Sequence, residues 1–285
     1  MAQAENPADR PIAGETEMAV EFSDLSERRS LKLASLTRYV SKAHFQTWQK
    51  LRQMPDFDTM QGIFTPLVAM ELEATDVTLN PGDLVQARGE SVFARALDDR
   101  GEVRNILRDG AYEILTPSGE PGGRVRFVNV FTRYDPDPAR RKILELPPEL
   151  GLGPLPDRIL PLPSIGDLLP GDRSPDFADG EDHVWYYAQT DPNRHVNSLA
   201  YLHTAQEFVA TRLHHRGEAL DRLWAARARI CFRKPCFRGE GFRRLAWQTD
   251  PTGPRIGVAI ARASDPEGHP PATAIELSLM EHPAD

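Results

Sequence analysis

Gln189-Thr190-Asp191-Pro192-Asn193-Arg194-His195-Val196-Asn197-Ser198-Leu199-Ala200-Tyr201-Leu202 sets Asp, two Asn and a His within seven positions. The apolar, aromatic stretch Val184-Trp185-Tyr186-Tyr187-Ala188 before it reads as a strand. After it, Leu199, Leu202, Ala205, Val209 and Leu213 recur at three- and four-residue spacing, which predicts one buried helix face. Asn197 or Ser198 can cap that helix through a side-chain oxygen. A strand therefore enters a polar loop that ends on a helix N-terminus. The first amides of a helix have no intrahelical acceptor and carry the positive end of its dipole. Such a place can hold a developing oxyanion beside a carboxylate and an imidazole.

The pattern Asp191-x-Asn193-x-His195-Val196-Asn197-x-x-x-Tyr201 resembles the signature of the hotdog-fold acyl-ACP thioesterases, with Ser198 in place of a second Asn. The piece Asp191-Pro192-x-x-x-Val196 is also similar to the loop of hydroxybenzoyl-CoA thioesterases. The resemblance covers about twenty residues. It implies catalytic roles for Asp191, Asn193, His195 and, twelve residues further on, Glu207. Asn197, Ser198 and Tyr201 become candidate substrate-binding residues, as do Arg233 and Lys234 downstream. The family's strand after the helix carries an acid before a Cys. The similar stretch here, Phe232-Arg233-Lys234-Pro235-Cys236, has Pro235 at the acid's place, so Asp191 or Glu207 must take that role.

Cleavage of a thioester needs a base or nucleophile, an oriented water and donors for the tetrahedral oxyanion. An imidazole ordinarily titrates near neutrality and suits a base, which points to His195. Asp191 can orient water or attack the thioester itself, and Asn193 can hold the carbonyl or position His195. No cofactor and no metal are expected. Cys231 and Cys236 lack the companion ligands of a zinc site and are too few for a disulfide framework.

At 285 residues, with 40% hydrophobic and 27% charged, the chain has ordinary globular composition. No apolar run reaches membrane-spanning length and the start has no signal-peptide core, so a cytoplasmic location is expected. The net charge of -8 conceals an asymmetry: Arg212–Arg262 holds twelve Arg and Lys against four acids, a net +8. A basic surface of this kind can receive CoA phosphates or an acidic acyl carrier protein. No recognition motif accompanies it, which argues against nucleic acid.

Outward from the loop, the chain reads as two similar halves. Residues 1–17 are polar and expected to be disordered. Met18–Asp24 is a candidate strand, and Leu36, Tyr39, Val40, Ala43, Thr47 and Leu51 mark a helix running to Met54, with Phe45 and Trp48 widening its apolar surface. Strands are expected within 64–79, 84–96, 102–115 and 123–133, with turns at Asn80-Pro81-Gly82-Asp83 and Asp98-Asp99-Arg100-Gly101. Residues 135–182 form a proline-rich connector whose leucines and isoleucines, from Leu152 to Leu169, should lie against the protein. Strand, helix and four further strands, near 225–233, 240–249, 255–264 and 271–281, then repeat the plan.

Two such units, 18–134 and 183–285, resemble the double hotdog, an α+β arrangement in which each long central helix is wrapped by a curved antiparallel sheet. The first unit has no Asp-x-Asn-x-His loop before its helix, so one active site is expected, around 191–207 and completed by the first unit. His44, inside the first helix, reads as a core or surface histidine. Being a pseudo-dimer internally, the chain can act as a monomer or pair as a homodimer.

Acyl-CoA or acyl carrier protein is the substrate that the resemblance implies. Two other readings remain. Hotdog hydratases place His one residue later than His195, and Leu25-Ser26-Glu27 is faintly similar to polyketide-type acyltransferases or decarboxylases. A non-catalytic acyl-carrier-binding protein would use the basic span alone.

Overall fold

The computed structural model describes residues 11–51, 62–133, 135, 137, 140–147, 152, 154–160, 162–171, 173–192, 194–218, 220, 223–250 and 255–281. They fall into two compact units: those within Met1–Met70 and Ala74–Leu162, and those within Pro163–Asp285 together with Glu71–Glu73. The connector is thus divided between the units at Leu162 rather than standing apart.

The first unit comprises β1 (Ile12–Ala19), α1 (Leu33–Leu51), β2 (Ile63–Phe64), β3 (Leu67–Ala74), β4 (Leu84–Leu97), β5 (Val103–Leu115), β6 (Pro121–Val130), β7 (Thr132–Arg133) and β8 (Asp157–Arg158). Its sheet runs β1-β4-β5-β6 with antiparallel neighbours, Ile12 opposite Ser91, Tyr112 opposite both Gly89 and Val125. The first strand thus begins at Ile12, inside the stretch expected to be disordered, and ends at Ala19, one residue after the strand expected over Met18–Asp24 was to begin. Its pairing to β4 supplies the order that local composition lacks. The expected turns form at Gly82 and Gly101, both with positive φ, a conformation glycine adopts without a Cβ penalty.

Helix α1 buries Leu33, Leu36, Tyr39, Val40, Ala43 and Thr47, the face that the spacing predicts. Each large apolar side chain so buried contributes about 1.5–3 kcal/mol. Phe45 is 45% exposed, so the helix is wrapped on one side rather than all round. The side chains of Trp48 and Leu51 lie outside the described residues, as do residues 52–54 of the expected helix. Strand β1 crosses α1 so closely that a Cβ on Gly14 would sit 2.0 Å from the Ala43 carbonyl oxygen. The connector leucines take up the outer positions: Leu152 and Leu155 pack with Phe93, Ile106 and Phe131, while Leu160 and Leu162 cover Ala96, Leu107 and Val128. Ile159 departs from that expectation at 79% exposed.

A polar cluster lies under α1. Arg108 of β5 is fully buried. It donates to the His44 carbonyl at 2.6 Å, to Ser91 Oγ at 3.1 Å and to Thr47 Oγ1. Tyr112 Oη lies 2.9 Å from Ser91 Oγ and 3.1 Å from His44 Nδ1. Burial, then the Arg108 charge, pushes the His44 imidazole down to about 3, and burial lowers the Arg108 guanidinium to about 10.

The second unit comprises α2 (Ile165–Leu168), β9 (Phe177–Ala178), β10 (His183–Val184), α3 (Ser198–His215), β11 (Leu223–Phe232), β12 (Gly241–Asp250), β13 (Arg255–Arg262) and β14 (Thr273–Glu281). Its sheet runs β11-β14-β13-β12-β10, antiparallel throughout, and α3 buries Ala200, Tyr201, Leu202, Thr204, Ala205, Phe208 and Val209. The connector here is not structureless. Ser164 caps α2 by accepting from the Asp167 amide, which lets Leu168 and Leu169 bury against Trp247, Ala259 and Ala274. Each unit is therefore the expected long helix against an antiparallel sheet, a hotdog unit, and the chain is an α+β double hotdog.

A neutral His44 makes an acid-limb prediction. Unfolded, a histidine protonates near 6.5; folded, this one waits until about 3. The unfolded chain binds the extra proton between those values, so stability falls as pH drops from about 6.5, by up to about 1.4 kcal/mol per pH unit. Urea denaturation at pH 7 and pH 4.5 should show a larger loss for the wild type than for His44→Gln. Equal losses would contradict the neutral, buried imidazole.

Candidate active site

Strand β10 pairs with β12 for two residues only, Val184 opposite Gly241. The expected strand through Ala188 is cut short because Gln189 Oε1 accepts from the Tyr186 amide at 2.8 Å and turns Tyr187–Gln189 into a 3-10 helix. Trp185, 1% exposed, is held inside: its ring stacks on Phe242 at 4.1 Å and meets Tyr201 edge-on at 5.1 Å. Tyr186 and Tyr187 face outward, 70% and 75% exposed.

The polar loop then closes on itself. Thr190 bridges Val196, the Asp191 amide donates to the His195 carbonyl at 2.8 Å, and the His195 amide donates to Asp191 Oδ1 at 3.1 Å. Arg194 takes a left-handed φ of 65°, which costs a non-glycine residue about 1–2 kcal/mol and completes the tight turn. Asn193 lies outside the described residues. The Asn197 amide returns to the Gln189 carbonyl at 2.8 Å, and Asn197 Oδ1 accepts from the Leu199 amide at 2.9 Å. Of the two capping candidates, Asn197 is the cap. Ser198 is the first helical residue, so its amide has no acceptor within the helix.

Asp191, His195, Asn197 and Ser198 are thus brought together at the start of α3. Asp191 Oδ2 accepts no hydrogen bond among the described residues. The half-buried His195 ring lies edge-on to Phe237 at 5.1 Å, and its nitrogens meet no protein partner among the described residues. Among the described residues the carboxylate steadies the loop through the His195 amide rather than through the imidazole.

Glu207 does not join them. It stands nine residues beyond Ser198 on α3, about 14 Å along the axis at 1.5 Å per residue. It is exposed and lines an open cavity of about 470 Å³ with His203, Gln206, Ala210, Thr211, His214 and Leu220. Tyr201 corrects a second expectation. It is 3% exposed and its hydroxyl accepts from the buried Cys236 amide at 2.9 Å, so it braces the fold rather than facing a substrate. Burial holds the Tyr201 phenol well above its ordinary value, and burial also raises the Cys236 thiol, which is thereby kept protonated and unreactive.

Arg233 and Lys234 are also occupied. Arg233 donates to the Pro271 carbonyl at 2.7 Å, and Lys234 lies 3.5 Å from Asp265 and 3.0 Å from His269 Nε2. The wider basic span is largely neutralised: Arg229 meets Glu276, Arg243 meets Asp182, Arg244 grips Asp179 and Arg262 meets Glu240. The side chains around the loop that sequence missed are Phe237, Trp185 and the two exposed tyrosines. Phe237 reaches His195 by a backbone bridge across 42 positions, for which no local pattern exists. Among the described residues no three His, Cys, Asp or Glu converge on a point that could hold a metal, and no helix is long and apolar enough to cross a membrane.

No family model and no curated protein matches the chain. Solved structures do. A Lactobacillus plantarum protein assigned as an oleoyl thioesterase superposes with TM-score 0.69 at 13% identity, covering 97% of this chain and 99% of that one. The 12:0-ACP thioesterase of Umbellularia californica gives 0.68 at 13% identity over 96% and 99%. A MaoC-like dehydratase from Phytophthora capsici gives 0.54 at 12% identity over 98% and 99%. At these identities what is shared is the fold, along essentially the whole length.

The bracing role of Tyr201 is open to measurement. Tyr201→Phe leaves the buried Cys236 amide without its acceptor, and urea denaturation should show a loss of about 1–3 kcal/mol. A variant as stable as the wild type would refute the brace.

Proposed function

We propose that this chain is a thioester hydrolase acting on an acyl group carried by CoA or by a carrier protein. One observation carries the reading: the loop closed by the Thr190–Val196 bridge presents, at the N-terminus of an eighteen-residue helix, an Asp191 oxygen and a His195 ring that meet no partner among the described residues. The signature that these residues form, and a fold shared with acyl thioesterases, support it.

The chemistry follows from the groups. The thioester carbonyl sits over the start of α3, where the Ser198 amide and the helix dipole face the oxygen. Asp191 Oδ2 orients a water, and the His195 imidazole takes its proton as the hydroxide attacks the carbonyl carbon. The oxyanion forms against the amide, an interaction worth about 3–4 kcal/mol in a well-placed site. Collapse breaks the carbon–sulfur bond. The thiolate leaves with the proton held on His195, giving a free acid and a thiol. Glu207, about 14 Å along α3 from the start of the helix, takes no part in this proton transfer.

Hydration of an enoyl thioester is the second reading, favoured by the fold shared with the MaoC-like dehydratase; a carboxylate and an imidazole can serve that proton transfer too. Product analysis separates them: hydrolysis frees a thiol, whereas hydration adds water and keeps the thioester.

Thiol release from acyl-CoA and acyl-carrier substrates should fall about 10²–10⁴-fold in kcat for His195→Ala and Asp191→Asn, with KM little changed. Folded circular dichroism spectra must accompany the loss. A wild type that frees no thiol from any substrate, or a thioester product heavier by one water, would sink the hydrolase reading.

A further inference from the structure

The backbone of the 190–197 loop has a counterpart in the first unit, built from different side chains. In each unit a short 3-10 turn leads to a bridge that closes just before the long helix: Leu25 with Leu31 in the first, Thr190 with Val196 in the second. The Ser26 amide donates to the Ser30 carbonyl at 2.8 Å, as the Asp191 amide does to that of His195. Arg29 and Arg194 hold the two tips at φ of 66° and 65°. Ser26 Oγ accepts from the Ser30 amide at 3.2 Å, where Asp191 Oδ1 accepts from the His195 amide at 3.1 Å. The turn behind each loop is shared too. Asp83 Oδ2 accepts from the Asn80 amide at 2.7 Å, and the Gly82 amide donates to the Val20 carbonyl at 2.9 Å. Likewise Glu240 Oε2 accepts from the Phe237 amide at 2.9 Å, and the Gly239 amide donates to the Trp185 carbonyl at 2.9 Å.

These matching bonds are scaffold, because they form whether or not the loop carries an acid and an imidazole. The differences fall on few positions. Ser26 and Ser30 stand where the second unit has Asp191 and His195, and Asn80 stands where it has Phe237. The link between turn and loop changes with them. Leu79 donates its amide to the Arg29 carbonyl at 2.9 Å. Its counterpart Cys236 donates to Tyr201 Oη instead, and the Cys236 carbonyl takes the Val196 amide at 2.8 Å. That exchange bridges Phe237 to His195, with the two rings edge-on at 5.1 Å.

An imidazole that serves as a base is ordinarily oriented by a hydrogen bond to one of its nitrogens. Neither nitrogen of His195 has such a partner among the described residues. The torsion that turns the ring has broad wells, so packing must choose its orientation. An edge-on aromatic pair is a directional contact that can do so. Phe237 is itself held: its amide is tied to Glu240, whose other oxygen meets Arg262 at 2.7 Å. At 38% exposed, its ring does more than fill a core.

We infer that Phe237 is a positioning residue for His195, holding the imidazole in the orientation that the proposed reaction needs of its base. The contact rests on geometry alone; the use made of it rests on the hydrolase reading.

The test compares Phe237→Leu, which removes the ring and keeps apolar bulk, with Phe237→Tyr, which keeps the ring. NMR relaxation of the labelled His195 side chain should show an ordered imidazole in the wild type and in Phe237→Tyr, and a mobile one in Phe237→Leu. Thiol release from acyl-CoA should fall about tenfold or more in kcat for Phe237→Leu with KM unchanged, because a small misplacement of a reacting group is costly. Phe237→Tyr should hold near the wild type. Thermal melts check that both variants fold. An equally ordered His195 ring or an unchanged kcat in Phe237→Leu would overturn the inference. A fall confined to KM would also overturn it, in favour of a substrate contact. Order lost in Phe237→Leu, with no thiol released from any substrate by the wild type, would keep the positioning contact and remove the hydrolase reading.

Discussion

The candidate site depends on a short relay of hydrogen bonds through Cys236. Its amide donates to Tyr201 Oη at 2.9 Å, and its carbonyl accepts from the Val196 amide at 2.8 Å. One fully buried residue thus joins α3, the turn after β11 and the loop that carries Asp191 and His195. In the interior each such bond is expensive to leave unmade, so the three segments hold one mutual geometry. Pro235 fits this arrangement: it lacks an N–H, so the bend before Cys236 exposes no unpaired donor. The thiol itself is held protonated by burial, and the residue acts through its backbone.

Charge follows the same logic of local satisfaction. A span of net +8 looks like an anion-binding face when read along the chain. In space its arginines alternate along antiparallel strands and find acids on neighbours, as Arg244 finds Asp179 with its side chain at 2.8 and 3.0 Å. That contact, with its burial opposed by the guanidinium, holds the Asp179 carboxyl below its usual range. Among the described residues the span leaves Arg216, Arg238 and Arg255 without an ion pair.

The first unit shows what the same plan becomes without the acid and imidazole of the 190–197 loop. Its helix faces β4 and β5 with the half-buried His44 and the buried Thr47, Ser91, Arg108 and Tyr112 rather than with hydrocarbon alone. Gly14 allows the β1 backbone to touch the helix at Ala43, a packing that any side chain would break. Polar satisfaction here fixes the register of helix on sheet, because a slip would strand several buried donors at once.

The sequence by itself determined what is local and periodic. The α1 face, the middle of the α3 face at Leu202, Ala205 and Val209 (Leu199 and Leu213 are only half-buried), the turns at Gly82 and Gly101, the long strands and the Asp191–Tyr201 pattern are all set by spacing within a few residues. It also determined that the plan occurs twice and that only the second copy carries the loop. Tertiary structure decided what depends on partners far along the chain. Pairing to β4 made a strand of Ile12–Ala19, and a side-chain turn ended β10 after Val184. Folding buried Tyr201, committed Arg233 and Lys234 to the 265–271 segment, separated Glu207 from the loop and set Phe237 on His195. The physical reason is the same in each case: propensity and periodicity act over one or two turns, while burial and hydrogen-bond satisfaction are settled only when distant segments meet.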